Sequence, residues 1–137
     1  MPRIKRTIRV EPLPAAAPPE KEKDRYRTPR WLFRWASDVY GPFDVDLCAD
    51  HDNHLAPYYY TRTNSCLLPE FDWRRCGSRG FCNPPFSDPG PFVYAAIEFA
   101  RRGFSSFLVL PAHRNQRWAG EVGRWATEVL EPVGRVN

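Results

Sequence analysis

The sequence predicts an α/β domain built on a mostly parallel sheet flanked by helices. From residue 79 onward, short apolar segments alternate with amphipathic ones in the order strand, helix, strand, helix, strand. That is the pattern of parallel strands joined by helical crossovers. The stretch Phe104–Leu110 reads as an apolar run suited to a strand covered on both faces. A length of 137 residues, with 42% hydrophobic and 15% aromatic residues, allows one ordinary domain with a real core.

Residues 1–24 are expected to be a disordered tail, with Arg3, Lys5, Arg6 and Arg9 followed by a Pro- and Ala-rich stretch. Such a segment cannot bury enough apolar surface to offset its ordering entropy. It reads as a solvated arm or, alternatively, as a contact for the DNA backbone. The domain then occupies residues 25–137. Thr28 followed by Pro29 predicts a helix start, as an N-cap and a first helical residue. Trp31, Leu32, Trp35 and Val39 recur at helical spacing, and Gly41-Pro42 stops the helix. Phe43–Leu47 alternates with a period of two and predicts a strand. Tyr58-Tyr59-Tyr60 and Cys66-Leu67-Leu68 are read as two further short strands. Gly80-Phe81-Cys82 predicts a buried strand ending abruptly at Asn83-Pro84-Pro85. A helix is expected from about Pro91 to Arg102, closed by Gly103, then the 104–110 strand ended by Pro111. A second helix over 115–127 and a strand over 129–136 complete the pattern.

A formal net charge of +4, from 20 Lys and Arg against 16 Asp and Glu, is compatible with a polyanionic partner without requiring one. No apolar run approaches the ~20 residues of a membrane helix, and the start lacks a signal-peptide core, so a soluble intracellular protein is expected. Cys48, Cys66, Cys76 and Cys82 include no CxxC pair. Even with His51 and His54 their spacing matches no common zinc site, so they are read as small buried apolar groups and no metal is expected.

In open parallel sheets, ligands bind beyond the carboxyl ends of the strands, and both Asp46 and Asn83 fall near predicted strand ends. Asn83-Pro84-Pro85-Phe86 is the most informative motif. A planar exocyclic amine such as that of adenine is a poor nucleophile, because its lone pair is delocalised into the ring. Acceptors aimed at its hydrogens favour the pyramidal geometry needed to attack a sulfonium methyl. The Asn83 carbonyl supplies one acceptor and a backbone carbonyl the other. Proline after Asn83 restricts it to an extended conformation, and the Pro-Pro step stiffens the turn. Phe86 would offer a face on which an extracted base stacks.

The sequence resembles the phage DNA N-6-adenine methyltransferase (Dam-like) family over about residues 26 to 137. The matching stretches are Tyr26–Leu32, Gly41–Ala49, Phe71-Asp72-Trp73 and Phe81–Phe86, extended by Leu108–Ala112 and Trp118. The resemblance implies a Rossmann-like methyltransferase fold, S-adenosylmethionine as methyl donor and adenine in double-stranded DNA as acceptor. A phage or prophage gene acting in the bacterial cytoplasm follows from it too. Thr28 and Pro29 match the N-terminal cofactor block, where a helix start suits the methionine carboxylate. Asp46 matches an acidic residue near the methionine amino group. Ala49 closes that matching stretch at the cofactor. Asp50 beside it reads either as a partner of the ribose hydroxyls, as acidic residues near strand ends of dinucleotide folds are, or as a surface-loop residue. Asp72 is implied near the cofactor's adenine. Trp73 reads as core.

The sequence departs from the wider pattern in three ways. After Asp46 it reads Leu47-Cys48-Ala49-Asp50-His51, with no Gly-rich loop to admit the cofactor closely. The family continues through further strand material where this sequence stops at Gly134-Arg135-Val136-Asn137. A fold shortened at its C-terminus, with an exposed sheet edge, is therefore expected. No separate recognition domain fits, so loops would read the DNA. His113, Arg114, Asn115, Gln116 and Arg117 form a polar, basic cluster after a strand end, suited to phosphate or base-edge contacts. Methylation of DNA adenine is the leading reading. The alternatives are another planar amine (an RNA base, cytosine or a protein glutamine) and a catalytically silent nucleic-acid-binding remnant.

Overall fold

A computed structural model of the chain describes residues 27–112 and 115–131. The predicted tail and most of the predicted last strand lie outside the described residues, as do His113 and Arg114. The first helix, α1, runs Arg30–Tyr40, followed by β1 (Val45–Asp46), β2 (Tyr58–Tyr59), a 3-10 turn (Trp73–Cys76) and β3 (Arg79–Cys82). Helix α2 (Gly90–Arg101), β4 (Ser105–Leu108) and α3 (Arg117–Trp125) complete the order. The four strands form one all-parallel sheet in the order β2-β1-β3-β4, the α/β architecture expected from the alternation of elements.

The period-two alternation of β3 divides the core into two layers. Phe81 points to the face covered by α1, where it packs with Leu32, Ala36, Phe43, Phe86 and Val109. Cys82 points to the other face, into a cluster with Val45, Leu47, Trp73, Ala96 and Phe104. On that second face Gly80 lets the sheet approach Phe104 closely: a Cβ at Gly80 would lie 2.9 Å from its ring and 3.1 Å from Leu47. Val93 of α2, Leu110 and Trp118 of α3 form a smaller cluster. The Tyr40 hydroxyl donates to Glu128, tying the end of α1 to the segment after α3.

Several elements differ from expectation for identifiable reasons. β1 pairs only over Val45–Asp46, yet Asp44 N–H and Leu47 N–H still bond Arg79 and Phe81 carbonyls, at 2.8 Å each. Val45, Asp46 and Leu47 are all buried, because helices cover both faces of an interior strand. Cys66-Leu67-Leu68 is not a strand. Leu68 N–H bonds the Ser65 carbonyl and Leu67 N–H the Ser65 hydroxyl, so local turn bonds take the groups a ladder would need. β4 is the edge strand of the described sheet, and Phe107 and Leu108 are only half-buried. A groove of about 840 Å3, lined by Phe107, Leu108, Val122 and Leu130 among others, runs beside it. Helix α3 spans Arg117–Trp125, shorter than the 115–127 expected.

Candidate active site at the strand ends

Parallel strands place all their carboxyl ends along one margin of the sheet. Asp46 ends β1 and is in register with Phe81 of β3, so both side chains lie on the α1 face. Asn83 follows Phe81 by two residues and returns to that face, roughly 7 Å further along. The N-terminus of α1 meets it there: Asn83 Nδ2 donates to Thr28 Oγ1 at 3.0 Å. Two motifs 55 residues apart in sequence thus converge on one hydrogen bond.

Thr28 was expected to cap α1. The N-cap is instead Pro29, with φ −60° and ψ 140° and no side-chain cap bond. The Pro29 carbonyl accepts from Leu32 and Phe33 N–H at 3.1 and 3.2 Å, so the helix starts one residue later than expected. The threonine hydroxyl serves Asn83, fixing the amide with its nitrogen toward α1 and its carbonyl on the opposite arm. In the turn, Pro84 is buried and Pro85 half-buried. The Pro85 carbonyl accepts from Asp88 N–H at 3.2 Å.

Asp46 is 3% exposed. Its Oδ1 accepts from Cys48 N–H at 3.2 Å and its Oδ2 from Leu55 N–H at 3.1 Å. Burial pushes its pKa above the ordinary carboxylate value, against the opposing pull of those two bonds and of His54 nearby. Each oxygen has a second lone pair and so retains capacity for a further donor. The loop after β1 thus closes around a carboxylate. Ala49 N–H bonds Tyr60 carbonyl at 2.8 Å, and Asp50 and Asn53 exchange backbone bonds at 3.1 and 3.2 Å. No non-glycine residue among those described has a positive φ. The turn is built without left-handed backbone, which accounts for the missing glycines.

Asp50 is exposed and pairs with Arg27 at 3.9 Å, joining the loop to the residue just before Thr28. Thr28, Pro29, Asp46, Ala49, Asp50 and Asn83 are therefore gathered at one place. No hydrogen bond or ion pair among the described residues joins Asp72 to this group. It caps the 3-10 turn through Arg74 N–H, and a fork from the Arg74 guanidinium holds its pKa down at about 2, with Arg102 adding to that pull.

Phe86 does not present its ring as the sequence predicts. Its ring is 6% exposed and packs in the α1-face core, so it anchors the turn instead of offering a free face to a base. Trp73 is fully buried, with Nε1 donating to the Cys66 carbonyl at 2.9 Å. Cys66 and Cys82 are buried thiols, with Cys48 Sγ 3.6 Å from Cys82 Sγ. A hydrogen bond to Cys48, with burial, pushes the Cys66 thiol up, and burial does the same to Cys82, so both stay protonated. Asn115 and Arg117 are exposed at the start of α3. Leu55 and His54 also stand on the loop beyond β1, His54 stacked on Tyr59 of β2 with centroids 4.0 Å apart. Leu55 reaches Asp46 through its backbone N–H while its side chain packs on the α1-face core, and a backbone donor leaves no signal in sequence.

A parallel sheet with helices on both faces, carrying its polar groups beyond the strand ends, defines an α/β ligand-binding domain. The DNA N-6-adenine-methyltransferase (Dam) family model matches residues 16–136, and the chain belongs to that family. It is 29% identical over 112 residues to a DNA N-6-adenine-methyltransferase of Escherichia phage T1, covering 82% of this chain and 46% of the relative. It is 34% identical over 113 residues to a DNA N-6-adenine-methyltransferase of Haemophilus phage HP1 (strain HP1c1), covering 81% of this chain and 63% of the relative. The chain thus spans about half to two thirds of the length of these relatives. No solved structure matches it. Among the described residues, no helix is long and apolar enough to cross a membrane.

Proposed function

We propose that this domain transfers a methyl group from S-adenosylmethionine to the 6-amino group of adenine in double-stranded DNA. The observation that carries the reading is the Asn83–Thr28 hydrogen bond at the end of β3, in a chain of this family. When bound, S-adenosylmethionine supplies an electrophilic sulfonium methyl. The residues at the strand ends suit its polar groups. The buried Asp46 carboxylate would hold an ammonium, the N-terminus of α1 with Thr28 and Pro29 would hold a carboxylate, and Ala49 and Asp50 would lie toward the ribose.

Asn83 does the central work on the acceptor. With its nitrogen held by Thr28, the amide carbonyl accepts one hydrogen of the adenine amine. A backbone carbonyl of the same turn supplies the second acceptor; that of Pro84 comes first after Asn83, and that of Pro85 already accepts from Asp88 N–H. Two acceptors favour the pyramidal amine and raise its nucleophilicity in the transition state. The amine proton leaves after transfer, so no general base with a shifted pKa is needed. Phe86 holds the turn from within the core. Asn115 and Arg117, with His113 and Arg114 beside them in sequence, contact DNA beyond the end of β4.

The test is incubation with labelled S-adenosylmethionine and unmethylated duplex DNA, followed by nucleoside analysis. The expected product is 6-methyladenine. Labelled methylcytosine would transfer the reading to another planar amine. Calorimetry showing no S-adenosylmethionine binding would identify a silent remnant.

A further inference from the structure

With Phe86 in the core, the candidate site lacks an exposed aromatic in its own turn, and α1 supplies one. Trp31 is 51% exposed, an unusual state for so large an apolar side chain. It lies three residues from Thr28, the residue that holds Asn83. At 100° per residue, Arg30, Trp31 and Arg34 fall within one outward sector of α1, opposite the buried Leu32 and Ala36. Arg30 and Arg34 are exposed, and among the described residues neither has an ion pair. Asp38 follows on the same sector one turn beyond Arg34, away from the site, and it does not approach Arg34 within ion-pair distance. An exposed indole beside two unengaged guanidiniums, next to a site for a nucleobase amine, has the chemistry of a nucleic-acid contact. Cations meet phosphates and an aromatic face meets a base.

We infer that the outward face of α1, formed by Arg30, Trp31 and Arg34, receives the DNA beside the target adenine. The two arginines neutralise backbone phosphates and Trp31 stacks on a base exposed by extraction of the target. This inference rests on the proposed function and adds a recognition surface to it, separate from the 113–117 segment.

The test measures binding of the full chain to a fluorescently labelled DNA duplex by anisotropy over a salt series. Arg30→Ala/Arg34→Ala should lower the slope of log affinity against log salt by about two. Arg30→Lys/Arg34→Lys should restore it, since lysine keeps the charge. Trp31→Ala should weaken binding roughly tenfold with the slope unchanged. Thermal midpoints should stay at the parent value, because all three side chains are exposed. Parent-like affinity and slope in both alanine variants would overturn the inference, as would a parent chain that does not bind DNA. Losses seen only on vesicles of phosphatidylserine, with DNA binding intact, would also overturn it by assigning the face to a lipid surface. A parent that binds DNA through this face yet forms no methylated nucleoside would sink the proposed function and leave the surface standing.

Discussion

Asp46 shows how one side chain links fold to proposed chemistry. Its carboxylate is buried, and burial raises its pKa while two backbone N–H bonds pull the other way. Because the raised pKa belongs to the folded state, the ionised form costs stability above that pKa. The cost fades as pH falls toward the unfolded carboxylate value. Binding of a cofactor ammonium needs the ionised form, so S-adenosylmethionine affinity should begin to fall at a higher pH than an ordinary aspartate would give. Calorimetric titration across the acid range checks this, and Asp46→Asn should bind more weakly with that pH dependence flattened. Phe86 gives a second residue-scale prediction. Phe86→Ala should cost about 3–5 kcal/mol in chemical denaturation as a core truncation, whereas Phe86→Leu keeps most of the stability and the methyl transfer. Loss of transfer in a fully stable Phe86→Leu would instead make the ring a stacking platform. The sequence marked the Asn83 turn correctly but not the direction of Phe86, because a base platform and a core anchor look alike when only the residue type is known.

Helix α1 shows where a local rule stops among the elements. Thr28-Pro29 was read as cap and first turn from local chemistry, and the helix does begin there within a residue. The hydroxyl, however, serves a partner 55 residues away, which no local rule reveals. Thr28→Ala should therefore slow methyl transfer while removing only a hydrogen bond's net stability, on the order of 0.5–1.5 kcal/mol. Thr28→Ser should restore the rate. In β3, Gly80 faces Phe104 so closely that Gly80→Ala should destabilise by about 1–3 kcal/mol, measured by thermal or urea unfolding. β3, α2 and β4 were legible because their periodicity is clear. The stretch 61–72 was not, since Ser65 and Asp72 organise it through side-chain turn bonds that leave no periodic trace.

At the scale of the whole molecule, strand alternation was enough to anticipate a parallel sheet, and the carboxyl-end rule puts the proposed site at its margin. The order β2-β1-β3-β4 puts Asp46 and Asn83 on neighbouring interior strands, where both layers of helices hold them in place. β4 forms one edge of the described sheet and borders a groove. The proposed chemistry requires Asn83 to act upon the acceptor amine without holding the methyl donor. Single-turnover methylation by Asn83→Ala, paired with calorimetry of S-adenosylmethionine binding, tests this most directly. The expected result is a rate loss of roughly 10²–10³-fold with donor affinity kept. A variant that methylates at the parent rate, or one that loses donor binding instead, would contradict it.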